Sequence, residues 1–356
     1  MIFLLSACRF ASGGRAAGVS RHRIPSLGGV RRGIFALCVA LVLPGRALAA
    51  DGSELHDRIW LESYLSYPIA DVAFTASAMG YVGRVKEAES VFAIHGGRAG
   101  GIQRKTVARF FEDGRAVDEV DTDPATARTL FAASFRYDDR KRITNIIRDD
   151  METKQSEAID FSYDSRGVLA GAVFRNNGLV TKRIEVASAA DGRPQEVVTR
   201  LPGGQVSSRI TYTYGKGTVD IAYEGDFGAA RVHSLFTLDA QGRPVAAETQ
   251  RRDEVPEVDY DGSYSYTYRP DGTKVFHGVE LHAYAQPHPT KCVLDEEFFA
   301  NGGAKSAKAV GDDVTCERPY GTTPVVELDA QGNFRHTRLG AYEHTYQIEY
   351  FGVPAM

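Results

Sequence analysis

Phe236-Thr237-Leu238-Asp239-Ala240-Gln241-Gly242-Arg243-Pro244 carries one copy of the pattern that decides the fold: an apolar strand end, an Asp, two linkers, a Gly, and then a new strand. The same order recurs as Phe161-Ser162-Tyr163-Asp164-Ser165-Arg166-Gly167-Val168-Leu169 and as Val326-Glu327-Leu328-Asp329-Ala330-Gln331-Gly332-Asn333-Phe334. A carboxylate at the first corner accepts hydrogen bonds from turn amides, and a Gly three residues later supplies positive φ without steric cost. The pattern therefore predicts a short hairpin loop closed by a G1 bulge. It identifies a fold type rather than an activity.

The turn glycines, or the residues in their place, fall at Gly114, Lys141, Gly167, Gly192, Gly217, Gly242, Gly272, Gly302 and Gly332. By subtraction the steps are 27, 26, 25, 25, 25, 30, 30 and 30 residues. One period of about 25 residues holds two strands of roughly 8 to 10 residues and two connections, so each hairpin pairs with the next. The expected fold is all-β, an antiparallel meander of repeated hairpins in a twisted, curled sheet or an open barrel or roll.

Tyr163-Asp164-Ser165-Arg166-Gly167 resembles the Tyr-Asp-x-x-Gly-Arg motif of the Rhs/YD-repeat family, whose copies mark successive strands of a long rolled β-sheet. Tyr137-Asp138 keeps the dipeptide with Lys141 near the Gly position, Leu238 and Leu328 replace the Tyr, and Tyr268-Arg269-Pro270-Asp271-Gly272 moves the Asp next to the Gly. The Phe110-Phe111-Glu112-Asp113-Gly114-Arg115 and Phe298-Phe299-Ala300-Asn301-Gly302 copies are similar to the turns of MORN-type hairpin proteins. The resemblance covers roughly residues 80 to 350. Both families are defined by architecture, so it implies a rolled sheet and carries over no catalytic residue.

Residues 1–50 read as an N-terminal extension and secretory signal peptide. The apolar run from Gly33 to Leu43 follows Arg31-Arg32 and precedes Ala47-Leu48-Ala49, an A-x-A cleavage site. The run is short for a bilayer span. The Arg- and Gly-rich stretch before it exceeds an ordinary charged n-region, which places the expected start of translation near Val30. Without these 50 residues the chain loses seven Arg and no acid, leaving 35 basic against 46 acidic residues, a net of −11. That balance disfavours nucleic acid as a partner. The expected location is periplasmic or secreted, with no transmembrane segment in the mature chain. Cys292 and Cys316 are its two cysteines, and in an exported protein such a pair is expected to form a disulfide.

Residues 51–81 lack the repeat and are expected to cap one end of the sheet, with a short helix behind Ser53 that Pro68 would end. Residues 82–356 form the hairpin repeat domain. The glycine-rich segment from Gly96 to Gly101 has no strand-to-helix switch and no Gly-Lys-Ser/Thr, so it reads as a hairpin tip rather than a phosphate loop. The charged linker from Arg251 to Glu257 marks a candidate boundary near residue 255, but the turn spacing continues through it.

The mature chain has no G-x-S-x-G elbow, H-E-x-x-H helix, C-x-x-C pair or G-x-G-x-x-G fingerprint. His277, His282, His288 and Cys292 form a candidate metal group, yet His277 and His282 are five apart and fall on opposite faces of a strand, so no metal and no cofactor is expected. Tyr260, Tyr264, Tyr266 and Tyr268 form the candidate ligand-binding stripe, with core packing as the alternative role for such aromatics. The expected function is a binding or scaffolding module for an envelope protein or glycan. The alternative is an envelope hydrolase or carbohydrate-active enzyme using Asp295 or Glu296 beside that stripe; His336 and His344 lie after the final turn.

Overall fold

A computed structural model describes residues 75–76, 81–95, 101, 103–225, 230–254, 259–282, 290–298, 304–311, 325–339 and 342–352. The segment expected to hold the N-terminal helix, and most of the leader and cap, lie outside these residues. Twenty strands are present among them. In the first half they are β1 (Val85–Ile94), β2 (Gln103–Phe110), β3 (Ala116–Thr122), β4 (Thr129–Tyr137), β5 (Ile143–Asp150), β6 (Gln155–Tyr163), β7 (Leu169–Asn176), β8 (Leu179–Ser188), β9 (Pro194–Arg200) and β10 (Val206–Gly215). The second half has β11 (Thr218–Gly225), β12 (Ala230–Leu238), β13 (Pro244–Asp253), β14 (Tyr260–Tyr268), β15 (Lys274–His282), β16 (Thr290–Phe298), β17 (Ala304–Gly311), β18 (Val325–Leu328), β19 (Phe334–Leu339) and β20 (Tyr342–Tyr350).

Each strand pairs antiparallel with the next from β1 to β17 and again from β18 to β20, and β20 then pairs with β1. The result is a nearly closed barrel. Pairing continues across the candidate boundary near residue 255, because β13 and β14 are in register from Ala246 opposite Ser265 to Arg251 opposite Tyr260.

The expected hairpin chemistry is what builds the sheet. At Asp164 the Gly167 amide donates to the Asp164 carbonyl (2.9 Å) and the Asp164 amide to the Val168 carbonyl (2.8 Å). The Asp164 carboxylate accepts the amides of Arg166 and Val168, both at 2.9 Å. Those bonds hold its pKa below the usual carboxylate range, the Val168 amide most of all. The register slips once between Ser162 and Tyr163, the G1 bulge. The Asp138, Asp239 and Asp329 turns repeat this bonding.

The bulge matters because it fixes which side chains face inward. Strict alternation along β12 buries Ala230, Val232, Ser234 and Phe236 and exposes the residues between them. The inward face gathers Phe110, Phe135, Phe161, Phe174, Phe276 and Phe298 into one core, each ring contributing roughly 1.5–3 kcal/mol of burial. The outward face carries cross-strand ion pairs instead, among them Arg109–Asp118 (2.6 Å), Lys105–Glu89 (2.6 Å), Lys86–Glu349 (2.7 Å) and Arg252–Asp261 (2.7 Å).

Candidate functional site

The Asp-turns lie at one end of the barrel, because every second hairpin turns there. Their side chains form a ladder. The Arg that follows a turn is held by the Asp of its own turn: Arg142 Nε donates to Asp138 (2.8 Å), Arg193 Nε to Asp191 (2.7 Å) and Arg243 Nε to Asp239 (2.8 Å). The guanidinium then lies over the aromatic ring that opens the next turn, Arg142 over Tyr163 at 4.3 Å, Arg193 over Tyr214 at 4.2 Å and Arg243 over Tyr268 at 4.2 Å. Tyr163 closes the unit by donating its hydroxyl to the Ile143 carbonyl (2.7 Å), next to Arg142. Tyr137 does the same to Ala116 (2.9 Å), next to Arg115.

The ladder has a break at the β10–β11 hairpin. Gly215 pairs directly with Thr218, so only Lys216 and Gly217 bridge the strands, and Gly217 takes φ +74. This shorter turn has no Asp, Thr218 stands where Arg is found, and Leu238 stands where the next Tyr is found. The missing side chains leave a cleft of about 290 Å³ between neighbouring turns, lined by Arg193, Tyr214, Thr218, Leu238, Asp239 and Gln241. It is a polar notch with one aromatic wall.

A second constellation lies inside the barrel. Glu119 and Asp121 both face inward from β3, opposite Ala108 and Thr106 of β2. Asp121 accepts the Thr106 hydroxyl (2.6 Å) and Arg104 Nη1 (3.1 Å). Glu119 is 1% exposed, and its Oε2 has no hydrogen-bond partner among the described residues. Burial, reinforced by the charge of Asp121, pushes the Glu119 carboxyl up to about 8.

The tyrosine stripe of β14 faces inward. Tyr266 is 6% exposed and lies in the core, its ring 5.3 Å from Phe276, and burial raises its phenol well above the ordinary value. Tyr264 stacks on Phe276 at 5.5 Å and donates to Glu280 (3.0 Å); Tyr268 is the platform for Arg243. Tyr260 is half-buried, opposite Arg251 and His282. Asp295 and Glu296 are adjacent on β16 and point to opposite faces: Asp295 meets His277 Nδ1 outside (2.6 Å), whereas Glu296 is 6% exposed and opposite Phe276. They cannot act on one substrate from those positions. His277 lies on the outer face with Asp295, His282 is the last residue of β15, and His288 lies outside the described residues. Cys292 is buried on β16, and Cys316 lies outside the described residues.

His336 and His344 separate across the sheet. His336 Nε2 meets Glu343 Oε1 outside at 2.8 Å, while His344 is half-buried on the inward side. Glu119, Asp121 and the notch were not singled out from the sequence; the notch has a signal in the Gly-Lys-Gly-Thr run that replaces Asp-x-x-Gly-Arg.

The chain matches no family model, and no curated protein matches it. Similar solved structures include a porin-like protein from Bacteroides uniformis ATCC 8492, 9% identical, covering 75% of this chain and 98% of that one with a TM-score of 0.35. A porin-like protein from Bacteroides vulgatus ATCC 8482 is 12% identical over 64% of this chain and 96% of that one, with a TM-score of 0.29. A chain of the Photorhabdus luminescens Tc holotoxin pore is 11% identical over 67% of this chain and 17% of that one, with a TM-score of 0.22. These likenesses assign neither a family nor an activity, and the Rhs/YD resemblance rests on the turn residues themselves.

Proposed function

We propose that this chain is an exported cell-envelope module that binds or scaffolds a partner, with the rim notch at Tyr214 as its contact site. The observation that carries the reading is the break in the ladder. At Asp138, Asp191 and Asp239 the Asp, Arg and ring groups satisfy one another, whereas the β10–β11 turn, which lacks both Asp and Arg, opens a concave polar surface beside an aromatic ring. Pockets with a few convergent polar groups are where ligands bind.

The outer wall supports the same reading. A barrel that faces lipid needs an apolar outer band, and the cross-strand ion pairs described above stand where that band would be. Among the described residues no helix is long and apolar enough to cross a membrane either. The leader-like segment from Arg31 to Ala49 supports export.

The test is photo-cross-linking in living cells, with benzoylphenylalanine placed at Gln241 on the rim or at Thr267 on the outer wall. A discrete adduct from Gln241 and none from Thr267 is the expected result. Adducts at neither position, or equal smears at both, would overturn the assignment of the notch.

A further inference from the structure

Among the described residues, β18, β19 and β20 join the rest of the barrel through the pairing of β20 with β1. That seam carries a half-buried histidine that faces inward. His344 lies opposite Phe92 of β1 and Thr337 of β19. Its ring is 4.7 Å from that of Phe92 and stacks on Tyr346 at 6.0 Å. Its Nδ1 is buried with no hydrogen-bond partner among the described residues. An apolar slot of this kind accepts neutral imidazole and rejects imidazolium, and burial lowers the His344 pKa to about 4.

The surrounding charges do not relieve this. On the inward side Arg104 stands opposite Phe92 and is tied to Asp121 (3.1 Å). On the outward side Glu343 accepts contacts from His336 (2.8 Å) and His95, with Glu327 3.9 Å from the other His336 nitrogen and Arg338 opposite Glu343. Lys105 and Glu89 pair farther along β1. The Glu343 carboxylate therefore has its own partners and faces away from His344.

We propose that the β1–β20 seam is an acid-sensitive gate, in which protonation of His344 stabilises a form with β20 parted from β1 and the barrel open. In the closed form the imidazole is held neutral; in the open form it returns to an ordinary value near 6.5. The proton thus favours opening as pH falls from about 6.5 to about 4, by up to about tenfold per pH unit within that window.

The experiment is hydrogen exchange on the full mature chain at pH 7 and pH 5, expressed as protection after correction for intrinsic rates. Amides of residues 91–94 and 342–346 are expected to lose roughly tenfold or more in protection relative to the β10–β11 hairpin. His344→Phe removes the titrating group and keeps the stack, so its seam-to-hairpin ratio should not change with pH. If that variant does not fold, His344→Gln serves in its place. A wild-type seam that tracks the hairpin, or variants that retain the fall, would overturn the proposal.

Discussion

Asn333 and Val82, 251 residues apart, grip each other across the ring closure. The Asn333 side chain accepts the Val82 amide (2.5 Å) and donates to the Val82 carbonyl (2.8 Å). Asn333 is 0% exposed, and it occupies the turn position that Arg fills in other repeats. Asn333→Ala strands both backbone groups in a buried setting, and the expected cost is about 2–4 kcal/mol in urea unfolding. A loss below about 0.5 kcal/mol would show that the clasp does not hold the seam.

Glu119 makes stability fall as pH rises. Its folded pKa of about 8 lies above the ordinary carboxylate value, so the folded state holds a proton that the unfolded state has released. The stabilisation is complete at low pH and is lost on rising through pH 8. Glu119→Gln should flatten this slope, with a gain on the order of a few kcal/mol at pH 9. His344 acts with the opposite sign, losing stability as pH falls from 6.5 to about 4. Unfolding free energy measured from pH 4 to pH 9 should therefore peak between these limits; a profile that rises steadily to pH 9 would contradict it.

Tyr163 and Arg142 should behave as a unit. Tyr163→Phe loses the bond to the Ile143 carbonyl, an expected cost of about 1 kcal/mol. A double-mutant cycle with Arg142→Ala and Tyr163→Leu should give a coupling of roughly 0.5–1.5 kcal/mol. Strict additivity would mean that the stacking contributes nothing.

Two turns offer opposite tests of one backbone position. Lys141 holds φ +65, which Gly adopts without strain, so Lys141→Gly should stabilise by up to about 1 kcal/mol, less a small loss from its exposed pair with Asp113. Gly167 holds φ +87, and a Cβ there would sit 2.9 Å from Arg142 Nη1. Gly167→Ala should destabilise by about 1 kcal/mol or more, read as a shift in the urea midpoint.

Cys292 is buried on β16, and its proposed bond to Cys316 would close a loop of about 25 residues, a chain-entropy contribution on the order of 3 kcal/mol. Intact mass after alkylation, with and without reductant, should show both cysteines blocked until reduction. Two alkylated thiols in the unreduced protein would exclude the bond.

The turns were legible because Asp, Gly and the residue after it act locally: Asp164 and Gly167 bond within five residues of one another. Which face of a strand turns inward was less legible. In β3 the acids Glu119 and Asp121 are inside while Val120 lies on the other face, the reverse of what apolar patterning suggests, because Thr106 and Arg104 are on hand to hold Asp121. The joining of β20 to β1 was not legible at all. No short-range pattern specifies partners about 250 positions apart, and nothing local to Asn333 points to Val82. The tyrosine stripe was legible as an alternating strand, but the sequence did not say that Tyr268 would serve as a seat for Arg243.

Because β1 receives its second neighbour from β20, the strand that forms early must wait for one that forms late. A chain exported from its N-terminus would present β1 with one flank unpaired while the following strands emerge. Such a flank invites association with other chains, and long-range closure is slow. The outward Lys86, Glu87 and Glu89 keep that waiting flank charged. Assembly of this barrel is thus a race between ring closure and intermolecular pairing, and the charges of β1 bias it toward closure.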